Sequence, residues 1–306
     1  MRKRFNLQRF AEENIIVTTD LEPAISIDFT TGFTKNIKEL QQLLGIHTME
    51  RMNAGTIVKI YKMTQVNTPE QVAEGEKIHR TKFERKLDRT IELKLDKFLK
   101  STTVEAIQQS GKDVAVNKTD AELEASIRKG IKGNIFTTLA TGTGVAEGAT
   151  LQKALANAWA ELQEYYNDMD ATPIFFVSSR DVADYLGETV ISTQTSFGMS
   201  YVENFLGLGR TIISPNVKKG TVIATAQENL RGAYVPATGG DVGTTLGLTG
   251  DTTGFIGMRH DVDETTAEYN TLMLSGVVFY PEFIDGVVIS TIGGESNGDQ
   301  GDQGNP

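Results

Sequence analysis

The sequence predicts an α+β fold, and three stretches carry that reading. Gly55 to Lys100 reads as a two-limbed β arm: Thr56–Val66 is rich in β-branched residues, and its return limb alternates Ile91, Leu93 and Leu95 with Glu92, Lys94 and Asp96. Leu123, Ile127, Ile131, Ile135 and Leu139 recur at a helical interval, which gives a long helix with one buried stripe. Ile174-Phe-Phe-Val177 is short and wholly apolar, as a strand buried on both faces is, and Ser178-Ser-Arg-Asp181 can cap a helix running to Gly187.

Size and composition bound the function. At 306 residues the chain can bury one large or two intertwined cores. The absence of cysteine excludes disulfides, thiolate metal sites and cysteine nucleophiles. No apolar run is long enough to span a bilayer, and the basic start Met1-Arg-Lys-Arg leads into Phe5-Asn-Leu-Gln-Arg-Phe10 and not into an apolar signal core, so a soluble, unexported protein without a membrane partner is expected. A net charge of −10 disfavours nucleic-acid binding through a generally basic surface. The charge is uneven: Glu76–Lys100 carries +4, so the remainder carries −14.

In chain order, the first residues read as an extended arm with a short strand at 14–18, followed by a short helix capped by Thr34, faced by Ile37, Leu40, Leu43 and Leu44 and stopped by Gly45. The β arm comes next, with a polar tip at 67–78 punctuated by Pro69 and Gly75. An isolated two-stranded ribbon is marginal in water, so something outside the arm must hold it, and another copy of the chain is the natural candidate. Thr119-Asp-Ala-Glu122 has capping-box spacing before the long helix, which Thr141-Gly-Thr-Gly144 ends. A second helix pattern runs from Leu151 to Met169 and ends before Pro173; it places Trp159, Tyr165 and Tyr166 on the apolar face, hence in the core. Strands are expected at 211–214 and 221–225, a long mobile Gly/Thr-rich loop at 237–257, one long strand from Tyr269 to Tyr280, a turn at Asp285-Gly286 and a strand at 287–292. Beyond Gly293 an acidic tail without apolar residues is expected to be disordered.

Nothing in this order composes an active site. His47, His79 and His260 stand in unrelated contexts, and His260-Asp-Val-Asp-Glu264 lacks the Gly turn of an oxygen-rich calcium loop, so it reads as a solvated strand end. The Gly-rich stretches lack the Gly-Lys-Ser/Thr ending of a phosphate loop, and no nucleophile elbow occurs, which disfavours an α/β enzyme. No cofactor is implied. The basic limb from Arg85 to Lys100 is open to three readings: a solvated strand face, pairing between subunits, or nucleic acid.

The order of arm, short helix, β loop, long helix, inserted α/β segment and returning strand resembles the major capsid proteins of tailed phages with the Hong Kong 97 fold. Val72-Ala-Glu-Gly-Glu-Lys-Ile78 is similar to that family's loop tip, and Thr90-Ile-Glu-Leu-Lys-Leu-Asp-Lys-Phe-Leu99 to its return strand. Glu268 with Leu274-Ser-Gly-Val-Val-Phe-Tyr-Pro281 and Gly286-Val-Val-Ile-Ser290 resembles its closing strand and Pro-containing turn. The resemblance implies an N-terminal arm (1–35), a peripheral domain from 36–51, 98–147 and 261–292 with a spine helix, an extended loop (52–97), an axial domain (148–260) and a tail (293–306). It implies a structural, non-enzymatic shell protein that forms pentamers and hexamers of an icosahedral head around double-stranded DNA, with scaffold and portal partners, assembled in the host cytoplasm. An encapsulin-type compartment is the alternative. Contact candidates between subunits are Glu74, Glu76, Lys77, Arg80, Arg85, Lys86 and Arg89. Phe5–Ala11 resembles an N-terminal extension removed by a host cysteine protease, with cleavage between Phe10 and Ala11.

Overall fold

The computed structural model describes residues 18–66, 77, 80–167, 169–187 and 192–293, with side chains from Phe29 onward. Thr18–Leu43 forms one helix, α1. Its buried face, Phe33, Ile37 and Leu40 with Phe29 packed alongside and Leu44 just past its end, continues one helical stripe upstream, so the short helix expected after Thr34 is the second half of a longer one. Thr34 is not a cap: it is buried inside the helix, its Oγ1 3.3 Å from Thr253 Oγ1. Of the strand expected at 14–18, only Thr18 is described, and there α1 begins.

After β1 (Met49–Arg51), the arm is β2 (Ile57–Gln65) and β3 (Phe83–Glu92). Its return limb lies earlier than expected. Leu93 is fully buried where the ribbon meets the body, and β4 (Asp96–Thr103) leaves the ribbon for another sheet; alternation alone does not say which partner a strand takes. Helix α2 (Val104–Ser110) is capped by Thr103, and a π-helical turn at Asp113–Lys118 then runs unbroken into α3 (Thr119–Leu139). Because the backbone before Thr119 is already helical, there is no capping box; Thr119 Oγ1 donates back to the Ala115 carbonyl at 2.8 Å. The expected stripe is present, with Ile127, Ile131, Ile135 and Leu139 buried.

β5 (Gly144–Gly148) precedes α4 (Leu151–Tyr165), which is capped by Thr150 and ends before Met169. Helix α4 buries Leu151, Ala154, Leu155, Ala158 and Leu162, whereas Trp159 (37 %), Tyr165 (39 %) and Met169 (68 %) are exposed. The core placement therefore holds for Tyr166 and fails for Trp159 and Tyr165, because the apolar arc of the helix is wider than the sheet beneath it.

The remaining elements are β6 (Pro173–Ser178), α5 (Ser179–Leu186), β7 (Gln194–Ser196), β8 (Met199–Phe205), β9 (Gly209–Ser214), β10 (Thr221–Ala226), β11 (Leu230–Tyr234), α6 (Gly240–Leu246), β12 (Ile256–Asp263), β13 (Glu268–Ser275), β14 (Val277–Pro281) and β15 (Val287–Ile292). A seven-stranded sheet runs β5-β15-β10-β6-β9-β8-β7, with β6 at its centre as its apolar sequence requires. The strand's alternation divides the interior: Phe175 and Val177 pack under α4, while Ile174 and Phe176 join α1 and α3, Phe176 meeting Phe136 edge-on at 5.6 Å. Two three-stranded sheets, β1-β11-β14 and β12-β13-β4, complete the body.

Two expectations fail in the C-terminal third. Residues 237–257 are folded: they contain α6, bury Ala237, Leu248, Phe255 and Ile256, and join Thr249 to Met258 by paired backbone hydrogen bonds of 2.8 Å. The single strand expected over Tyr269–Tyr280 breaks at Gly276, where a Cβ would sit 2.9 Å from Val235 Cβ. β13 and β14 thus belong to different sheets, and the glycine is the crossing point. The tail after Gly293 lies outside the described residues.

Candidate assembly interface

The arm is a ribbon with two unlike faces. β2 and β3 pair antiparallel from Ile57↔Glu92 to Gln65↔Phe83, and a bulge opposite Ile60/Tyr61 makes Asp88 the extra residue. That bulge, with the two-residue period, collects Ile57, Tyr61 and Met63 with Phe83, Arg85 and Leu87 on the outer face. Ile57 (54 %), Met63 (63 %), Phe83 (57 %) and Leu87 (52 %) are all exposed there. The Arg85 guanidinium lies 3.8 Å from the centroid of the Tyr61 ring, a cation–π contact that stiffens this face.

The inner face is held by the chain itself. Ile60 and Leu93 are buried with Ala233, Val235 and Tyr280, and Val58 and Ile91 pack beside them. Lys62 forms an ion pair with Asp285. The hydrogen bond from Lys62 and the one from Thr143 Oγ1 (2.8 Å) hold the Asp285 carboxyl below the usual carboxylate range. Asn229 fixes that turn, accepting from Phe283 N at 2.8 Å and donating to its carbonyl at 2.9 Å. The arm's root therefore needs no second copy to hold it, contrary to expectation; its outer face is what remains uncovered.

The candidate contact residues separate along the ribbon. Glu74 and Glu76 lie outside the described residues, as do Phe10 and Ala11. Lys77 and Arg80 are exposed near the tip. Arg85 is on the outer face and Lys86 is exposed opposite Lys62, whereas Arg89 is half-buried at the root, its Nε and Nη2 without a hydrogen-bond partner among the described residues. Reversing Arg89 would therefore damage the monomer. Arg85→Glu with Lys86→Glu is the cleaner change: it is expected to leave the melting temperature near that of the parent and to slow assembly at low salt, read by light scattering. Exposed charges contribute only about 0–1 kcal/mol each, but an assembly repeats them at every contact.

Sequence reading missed the apolar outer face, because only the bulge at Asp88 aligns Phe83 and Leu87 with Ile57 and Met63. It also misjudged His260. The His260 side chain is buried, its Nε2 donating to Asp120 Oδ2 at 2.9 Å, and Lys100 pairs with the other carboxylate oxygen. Burial alone would raise the Asp120 carboxyl; the hydrogen bonds from His260 and Lys100 outweigh it and hold the group below its ordinary value. Tyr269 stacks on the imidazole at 5.4 Å. This cluster pins the start of α3 to β4 and β12. His47 is exposed, and His79 lies outside the described residues. Among the described residues no group of three or more His, Asp or Glu side chains is placed to hold a metal ion, and no helix is long and apolar enough to cross a membrane.

No family model matches the sequence, and no curated protein matches it. Solved structures do. The holo-SrpI encapsulin complex from Synechococcus elongatus PCC 7942 aligns over 81 % of this chain and 86 % of its own at 10 % identity, with a TM-score of 0.53. The capsid of an empty GTA particle aligns over 83 % and 89 % at 10 % identity, TM-score 0.52. The mature capsid of bacteriophage PhiM1 aligns over 80 % and 85 % at 8 % identity, TM-score 0.52. Sequence identity this low leaves the architecture as the shared property: the chain has the Hong Kong 97-type fold of phage capsid shells.

Proposed function

We propose that this chain is the structural subunit of an icosahedral phage head, acting by self-association and not by catalysis. The observation that carries the reading is the arm: in a fold shared with shell proteins over most of their length, a ribbon anchored at its root presents four exposed apolar side chains on one face. Burying them against a neighbour is favourable at about 25 cal/mol per Å² of apolar surface, and repetition around a ring multiplies the gain. The segments 36–51, 98–147 and 261–292 then form the peripheral part, 52–97 the intersubunit loop and 148–260 the axial part. Pentamers and hexamers enclose double-stranded DNA without reading its sequence, with scaffold and portal proteins as partners in the host cytoplasm. Size-exclusion chromatography of the full chain tests the reading: rings or particles are expected, and a monomer at every concentration would contradict it. The encapsulin-type alternative predicts particles that fill with protein and carry no nucleic acid.

The same reading makes Phe10–Ala11 a processing site for a host cysteine protease. Intact mass of the protein from native particles is expected to begin at Ala11; a mass retaining residues 1–10 removes the proposal.

A further inference from the structure

A second concave surface lies away from the arm, where α1, α3, the β7–β8 turn and the end of β9 meet. It is a cavity of about 450 Å³ lined by Arg128, Lys129 and Lys132 from α3, Asn36 and Glu39 from α1, and Ser214. In a chain of net charge −10, three cations share this one wall. Arg128 and Lys132 stand one helical turn apart, so their charges are held on one face.

Two carboxylates stand near them: Glu39 of α1 lines the same cavity, and Glu124 pairs with Arg128 from within α3. Glu124 lies 3.5 Å from Arg128 Nε, but that nitrogen is buried without a hydrogen-bond partner among the described residues. Burial pushes the Glu124 carboxyl up, against the pull of Arg128. Lys132 Nζ reaches the Phe197 carbonyl at 3.4 Å and lies 5.3 Å from the centroid of the Phe197 ring. Burial, and after it the Arg128 charge, draws the Lys132 ammonium below the ordinary lysine value.

Three cations held in one recess outnumber the carboxylates of Glu39 and Glu124 beside them, and a compact anion carrying several oxygens satisfies the excess. The planar guanidinium and the ammonium point charge can each take a different oxygen of a tetrahedral group, a fit that a planar carboxylate makes less well. The geometry points to a phosphate-binding site, with Arg128 and Lys132 holding the oxygens. The phosphate is either free or part of a nucleic-acid backbone. The inference does not need the shell reading, because binding is measured on the full chain whatever its state of assembly.

The test uses inorganic phosphate, followed by phosphorus NMR line broadening, and a short fluorescent DNA duplex, followed by anisotropy, on the parent protein and on Lys132→Gln, Arg128→Gln and Lys153→Gln. Losing one charge-assisted hydrogen bond corresponds to roughly a tenfold or greater weakening, expected for the first two variants. Lys153→Gln makes the same charge change on an exposed face of α4 and is expected to bind as the parent does; Lys132→Arg is expected to retain binding. Melting curves accompany each variant. If Arg128→Gln unfolds, Lys132→Gln carries the test, since among the described residues its ammonium meets the Phe197 carbonyl and ring and forms no ion pair. Loss of both ligands together assigns the site to a phosphodiester backbone; phosphate binding without duplex binding assigns it to a free phosphate. The proposal is overturned if the parent binds neither, or if Lys153→Gln weakens binding as much as Lys132→Gln. Variants that stop assembling while binding phosphate like the parent also overturn it, and give the cavity to a carboxylate of a neighbouring copy.

Discussion

A chain lacking residues 66–80 is expected to fold, to melt cooperatively near the parent temperature, and to form neither rings nor shells. The deletion leaves Thr81-Lys82 as a two-residue turn between Gln65 and Phe83, which are already paired, so the ribbon can close; substituting Asn-Gly there would suit the twist of a short hairpin. Every described contact between arm and body is retained: Ile60 and Leu93 in their cluster, and Lys62 with Asp285. What is removed is the polar stretch 66–80, which carries the segment similar to the capsid family's loop tip. Loss of the cooperative transition would place the tip in the core of the monomer. Shells forming at the parental yield would show that the tip plays no part in association.

Asp120→Ala is expected to cost about 3–5 kcal/mol of unfolding free energy, the usual result of stripping one partner from a buried ion pair. Asp120 has no exposed side-chain surface, and its removal leaves Lys100 and His260 facing each other without a carboxylate. The pH dependence has a definite sign. The folded-state pKa of Asp120 lies below that of an unfolded aspartate, so its contribution is fully present above about pH 4 and is lost as pH falls through the depressed folded value. Urea titrations of parent and variant at neutral pH and in acid should therefore converge as the pH drops. A difference that stayed constant into acid would mean that Asp120 acts through packing and not through its charge.

What was legible in the sequence was what local burial specifies. β6 is apolar on both faces because helices cover both, and the four-residue recurrence along α3 needs only one neighbouring surface. Helix α1 was cut short because Thr34 reads as an N-cap and the residues before it are of mixed polarity, although Thr34 is buried within the helix. The faces of the arm were hidden for a different reason. A bulge at Asp88 shifts the period, and no composition signal marks it. Contacts such as Asp120 with His260 and Lys62 with Asp285 join residues far apart in the chain, so tertiary structure alone creates them. The exposed Trp159 shows the converse error: a residue at apolar spacing is buried only where a partner surface extends to meet it.

The most direct measurement of the central claim is electron microscopy of particles assembled from the full chain, at a resolution that traces the arm. The account predicts closed shells in which the outer face carrying Ile57, Met63, Phe83 and Leu87 is seated against a neighbouring copy. A protein that stays monomeric, or shells in which that face is open to solvent, would contradict it.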